Sequence, residues 1–148
     1  MTIYFGADHR GFAVKERIKQ ALSTAGYELV DCGASSLIPG DDYPDYAAAV
    51  ARLVGENQEG RGILFCGSGA GMCIVANKFK GVRAVLGFSS DQVYSARKDD
   101  NVNVLCVPTD FIADEQVMQM VQTFFITPFA ATPDYQRRLG KIFDIEHA

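Results

Sequence analysis

Histidine and cysteine are both scarce in this 148-residue chain: His9 and His147 are its two histidines, and Cys32, Cys66, Cys73 and Cys106 its four cysteines. The cysteines form no C-x-x-C pair, and so few histidines leave a poor spacing for a His/Cys zinc site, so neither a metal nor a cofactor is expected. A chain of this length needs no disulfide framework, and the cysteines are expected to be reduced, most of them packed as small hydrophobes. No apolar run approaches the roughly 20 residues that span a bilayer. The opening Met1-Thr2-Ile3-Tyr4-Phe5 moves straight into a strand pattern without an export leader, which points to a cytoplasmic protein with no membrane partner. Charge of one sign is not in excess either. Fourteen Lys and Arg stand against 18 Asp and Glu, a net charge of −4, and the basic residues are scattered, so no nucleic-acid partner is expected. Nor is there a linker, repeat or low-complexity tract to divide the chain, which is expected to form one domain over residues 1–148. What is present, 48% hydrophobic and 22% charged residues, is the composition of a globular protein.

Short apolar runs alternate with amphipathic stretches along the whole length. Ile3–Gly6 reads as a strand, and Phe12, Val14, Ile18, Leu22 and Ala25 then recur at helical spacing, with Gly26 where a C-terminal cap belongs. Strands are predicted over Tyr27–Cys32, Gly62–Cys66, Val82–Phe88 and Val102–Val107. Helices are predicted from Pro44 through Val54, over Met72–Phe79, from Ser90 to about Lys98, and over Asp114–Phe125. Five strands each followed by a helix imply a single doubly wound, Rossmann-like α/β sheet, parallel and covered on both faces. The last helix, about 132–146, begins at Thr132-Pro133-Asp134 and carries an apolar stripe of Tyr135, Leu139, Ile142 and Phe143. It has no strand to follow and is expected to pack on a neighbouring subunit.

Ligands of such sheets bind beyond the carboxyl ends of the strands, near a topological switch point. The informative residues therefore lie directly after strands. Cys66-Gly67-Ser68-Gly69-Ala70-Gly71 is the sharpest signal, because a glycine-rich strand-to-helix turn exposes N–H groups that can hold a phosphate or an oxyanion. It is a poor dinucleotide fingerprint: it follows the third strand rather than the first, and Gly87 stands where a ribose-binding acid would be needed. A turn that only lets a helix pack closely is the competing reading. Cys66 faces the start of a helix, a position that can lower a thiol pKa and create a base or nucleophile, although a buried inert cysteine fits equally. Asp8-His9 after the first strand is open to a structural or a catalytic role. Cys73 and Cys106 read as core, and His147 as solvated.

Taken together these blocks are more specific. Residues 3–12 (Ile-Tyr-Phe-Gly-Ala-Asp-His-Arg-Gly-Phe), Asp42-Tyr43-Pro44-Asp45-Tyr46-Ala47, Gly62 through Gly71, Ala76 through Ala84, and Asn103-Val104-Leu105 resemble the ribose-5-phosphate isomerase B family, in order and over nearly the whole chain. The superfamily also holds the two subunits of galactose-6-phosphate isomerase. The resemblance implies a metal-free aldose–ketose isomerase acting on a sugar or sugar phosphate through an enediolate. Cys66 matches the proton-transfer base and Gly67, Ser68, Gly69, Ala70 and Gly71 the loop that stabilises the enediolate, with Ser68 in place of the usual threonine. Asp8 matches a sugar contact and His9 a position near the phosphate. A homodimer or homotetramer is implied, with the site completed across an interface.

Four positions depart from the family. Asp99 and Asp100 stand where a ring-opening histidine and an asparagine are expected, Asp110 replaces an arginine, and Asp134 replaces the first of two helix arginines, leaving Arg138. Loss of bidentate arginine contacts removes the strongest side-chain phosphate clamp. The expectation is therefore a shifted specificity, with Asp99 in the catalytic place of the ring-opening histidine and Asp100, Asp110, Asp134 and Arg138 facing the substrate. The alternatives are the cysteine-bearing subunit of a hetero-oligomeric isomerase with a related companion chain, or a non-catalytic sugar-binding or regulatory protein.

Overall fold

A computed structural model describes residues 1–148. The elements run β1 (Thr2–Ala7), α1 (Phe12–Ser23), β2 (Glu28–Asp31), α2 (Tyr43–Glu56), β3 (Arg61–Cys66), α3 (Ala70–Ala76), β4 (Ala84–Leu86), α4 (Ser90–Asp100), β5 (Val104–Pro108), α5 (Asp114–Ile126) and α6 (Pro133–Glu146). All five strands join one parallel sheet in the order β2-β1-β3-β5-β4. Successive strand residues point to opposite faces, and both faces are apolar. Ile3, Phe5, Ile63, Phe65, Leu105 and Val107 meet α1, α4 and α5 on one side. Tyr4, Leu64, Cys66, Val104 and Cys106 meet α2 and α3 on the other. The helices present the faces that their spacing predicts, such as Val14, Ile18 and Leu22 in α1 and Val117, Met120, Val121 and Phe124 in α5. No helix is long and apolar enough to cross a membrane.

The doubly wound parallel sheet is as predicted, and the differences lie at element ends. β4 is three residues long rather than seven. The side-chain oxygen of Asn103 accepts from Arg83 N at 2.7 Å, so the chain before Ala84 is held by a side chain and not by a ladder. α3 ends at Ala76 because Asn77 turns its side chain to β4, donating to Ala84 O and accepting from Ala84 N, both at 2.9 Å. Gly26 lies beyond the end of α1 with φ +82°, the left-handed region that glycine enters at no steric cost. Lys15 interrupts the apolar face of α1 yet is 0% exposed; its ammonium meets both oxygens of Asp31, at 2.9 and 2.8 Å, and ties α1 to the edge strand β2.

The last helix starts as predicted, with Thr132 accepting from Tyr135 N at 3.3 Å, but none of its residues is buried. Ala130 N donates to Lys98 O and Gly81 N to the Glu146 carboxylate, so α6 leans on the end of α4 and the turn before β4. Ile142, Phe143 and Ile145 are left 38%, 59% and 77% exposed.

Candidate active site

β1 and β3 lie side by side at the centre of the sheet, and their following connections leave in opposite directions, β1 toward β2 and β3 toward β4. Their carboxyl ends therefore flank the crevice where doubly wound sheets take ligands. Asp8 leaves β1 there and is buried, one carboxylate oxygen accepting from Arg10 N and Gly11 N, both at 3.0 Å. That turn works only with glycine at 11, since a Cβ would lie 2.2 Å from the Phe65 carbonyl oxygen. Cys66 ends β3 at 6% exposure. Its thiol lies against the Asp8 carboxylate and the amides of Gly69 and Ser68. Burial first, and then the Asp8 charge and hydrogen bond, push the thiol pKa up, while the two amides pull it down; the net shift is upward. A helix terminus alone would act in the other direction. The amides are in place, but a buried thiol beside a carboxylate holds its proton.

The turn from Gly67 to Gly71 is shaped by what it touches. Gly69 has φ +73°, and a Cβ there would stand 2.6 Å from Leu86 Cδ1 and 3.2 Å from Pro108 N. Gly71 lies against the Tyr43 ring and Gly67 against the Arg10 guanidinium. Ser68 is exposed, its hydroxyl accepting from Ala70 N at 3.3 Å. Thr109 and Asp110, after β5, fasten this turn: Thr109 N donates to Cys66 O and Asp110 N to Gly67 O, each at 3.0 Å. The Asp110 carboxylate pairs with Arg10 at the mouth of the crevice.

His9 is held by a residue that no motif signalled. Asp41 accepts from His9 N at 2.8 Å, meets His9 Nδ1 at 2.9 Å and accepts from the Tyr46 hydroxyl at 2.9 Å. Burial works against the Asp41 carboxylate, but the His9 amide and ring and the Tyr46 hydroxyl outweigh it and hold its pKa below the usual range. Asp41 sits at the end of a polar loop, and only folding brings that loop over β1.

The chain thus gathers Asp8, His9, Arg10, Cys66, the Gly67–Gly71 turn and Asp110 at one end of the sheet. Asp99, Asp100, Asp134 and Arg138 are elsewhere. α4 runs back against the strands, so Asp99 and Asp100 come down near the amino ends, where Arg83 Nε donates to Asn101 O at 2.9 Å. Asp99 meets Lys98 at 3.5 Å and the Tyr135 hydroxyl; Asp134 pairs with Arg137 at 2.5 Å; Arg138 lies over the Tyr135 ring. Within one chain these four do not reach Cys66.

Fold and site together define a doubly wound α/β protein whose switch point holds a protonated thiol, a buried carboxylate and a turn of convergent amides. The family described as Ribose/Galactose Isomerase matches residues 3–142, and the chain belongs to it. That membership makes it an aldose–ketose isomerase. The probable ribose-5-phosphate isomerase B of Mycoplasma genitalium is 39% identical over 146 residues, covering 98% of this chain and 95% of that protein. The crystal structure of ribose-5-phosphate isomerase B from M. genitalium with bound ribulose-5-phosphate superposes with a TM-score of 0.95 over 99% of this chain and 96% of that one, at 39% identity. The type B ribose 5-phosphate isomerase of Trypanosoma cruzi gives 0.93 at 36% identity, over 99% and 98%.

Proposed function

We propose that this enzyme interconverts an aldose phosphate and its ketose, ribose 5-phosphate-like in size, with Cys66 as the proton-transfer base. The observation that carries the reading is the Cys66 thiol set between the Asp8 carboxylate and the amides of Ser68 and Gly69. With the open-chain aldose in the crevice and Cys66 ionised to its thiolate, its proton released to solvent, the sulfur takes the proton from C2. The C2–H electron pair forms the C1=C2 bond, and O1 becomes an oxyanion received by the amides of the turn. The same sulfur then returns the proton to C1, the O2 proton is lost, O1 is protonated, and the ketose results. An oxyanion donor of this kind contributes about 3–4 kcal/mol in other enzymes.

Asp110 supports a specificity shifted from ribose 5-phosphate. It brings a carboxylate to the crevice mouth and occupies the Arg10 guanidinium. A carboxylate repels a phosphate charge by about 1 kcal/mol at 4 Å even in bulk water. Asp99, Asp100, Asp134 and Arg138 join the site only from another copy, so the reading includes a homo-oligomer in which the exposed stripe of α6 is covered and the far end of α4 faces a partner's crevice.

The test follows exchange of the substrate C2 proton with deuterated solvent, and kcat/KM for ribose 5-phosphate against other pentose and hexose phosphates and free sugars. C66A is expected to lose exchange by about 10²–10⁴-fold with its fold intact. Exchange at the wild-type rate would overturn the base assignment. Ordinary efficiency with ribose 5-phosphate as best substrate would overturn the shifted specificity, and activity only with an added isomerase-like chain would favour the hetero-oligomeric subunit.

A further inference from the structure

The amino end of the sheet, opposite the crevice, carries a second concentration of charge. Arg61 opens β3, Arg83 stands one residue before β4, and Arg97 lies in the last turn of α4. The three line one pocket of about 300 Å³ whose wall contains no apolar residue, with Gln58, Glu59 and Asn101 among its polar neighbours. The ion pairs of the chain engage other cations, and none includes these three. Glu59 acts on Arg61 and Glu146 on Arg83 only from beyond ion-pair distance.

The guanidinium groups are held in place by neutral groups. Arg61 donates to Phe124 O and, at 3.1 Å, to Phe125 O. Arg83 donates to Asn101 O at 2.9 Å and Gly81 O at 3.4 Å. Arg97 donates to Thr127 O at 3.2 Å, to Asn101 Oδ1 at 2.9 Å, and to Val102 O. Arg61 and Arg97 also share the buried Phe124 ring, at 5.4 and 5.9 Å from its centroid. No guanidinium nitrogen is sealed away without a partner, so those that lack one keep access to solvent, and all three side chains line the pocket. Burial, and then the charges of Arg61 and Arg83, bring the Arg97 pKa down to about 10. Three oriented cations with no carboxylate in direct ion-pair contact are costly to hold together, and an anion that entered would relieve the repulsion while meeting donors already positioned.

We propose that Arg61, Arg83 and Arg97 form a second ligand site, which takes a phosphate group and is separate from the crevice at Cys66 of the same chain. Planar guanidinium forks match the oxygen spacing of phosphate, and the polar wall excludes an apolar ligand. Arg61 and Cys66 are the two ends of the six-residue β3, so the sites are about 16 Å apart along the strand. The phosphate can be free or carried on a small ester.

Thermal unfolding of the full chain at low ionic strength, with inorganic phosphate or glycerol 3-phosphate against chloride at equal ionic strength, tests this. Phosphate is expected to raise Tm in the wild type and in C66A, and R83Q is expected to lose at least half of the rise with kcat/KM changed less than twofold. R61Q repeats the measurement on another strand should R83Q fail to fold. A larger shift with glycerol 3-phosphate assigns the site to esters, and one no larger assigns it to the free ion. Crystals grown in tungstate are expected to show anomalous density between the three guanidinium groups. Density only at the Gly67–Gly71 turn, a full phosphate shift in both arginine variants, or an activity loss in R83Q that parallels its loss of phosphate binding would overturn the proposal.

Discussion

At the scale of single residues, the Cys66 thiol is governed by competition between burial, the Asp8 charge and two amides. Its pKa ends above the ordinary range. Activity that depends on the thiolate therefore rises with pH from neutral into the alkaline range. Asp8→Asn keeps an oxygen to accept from Arg10 N and Gly11 N but removes the charge that disfavours the thiolate. The rising limb of the kcat–pH profile is expected to move to lower pH in D8N; a limb that stays put would show that Asp8 does not act on the thiol, and one that moves up would show that Asp8 favours the thiolate instead of opposing it. Asp41 gives a second pH signature. Its pKa is lowered on folding, so its contribution to stability is present above the unfolded carboxyl value and is lost as pH falls through the folded one. The stability gap between wild type and Asp41→Asn, from urea unfolding, is expected to be widest near neutrality and to close below about pH 4.

At the scale of elements, two short connections do most of the positioning. Alanine at Gly69 would have to hold φ +73° with its Cβ close to Leu86 and the Pro108 nitrogen. A non-glycine residue in that region costs about 1–3 kcal/mol, and the amides beside Cys66 would turn with it. Gly69→Ala is expected to lose at least about tenfold in kcat, since misplaced oxyanion donors forfeit most of their effect; wild-type kcat would show that the turn does not hold the enediolate. The α1–β2 tie is the second. Lys15 is fully buried and is neutralised chiefly by Asp31. Asp31→Ala leaves that ammonium with Glu16, at 3.1 Å, as its one carboxylate and is expected to destabilise the chain by about 3 kcal/mol in urea unfolding.

At the scale of the whole molecule, the residues proposed to face the substrate split between the two ends of the sheet. Cys66 and Asp8 sit at the carboxyl ends, whereas Asp99 and Asp100 follow α4 back to the amino ends. One chain then holds Cys66 without those aspartates, and α6 leaves Phe143 and Ile145 uncovered. Phe143→Asp is expected to shift the assembly to monomers in sedimentation velocity and to abolish turnover while circular dichroism stays unchanged. An active monomer would show that a single crevice suffices.

The sheet was legible in the sequence because continuous apolar runs and 3.6-residue stripes are local patterns: Ile63 through Phe65 can only be a strand buried on both faces, and Val117, Val121 and Phe124 only the inner face of a helix. The Gly67–Gly71 turn and its cysteine were legible for the same reason, since both lie within six residues. Strand order was not, and it alone makes β1 and β3 neighbours and brings Asp8 to Cys66. The upward shift of the thiol and the hold of Asp41 on His9 depend on burial and on groups distant along the chain. The meeting of Arg61, Arg83 and Arg97 likewise joins residues up to 36 positions apart. Local chemistry is written in neighbouring residues; electrostatics depends on distance in space, which only the packed chain sets.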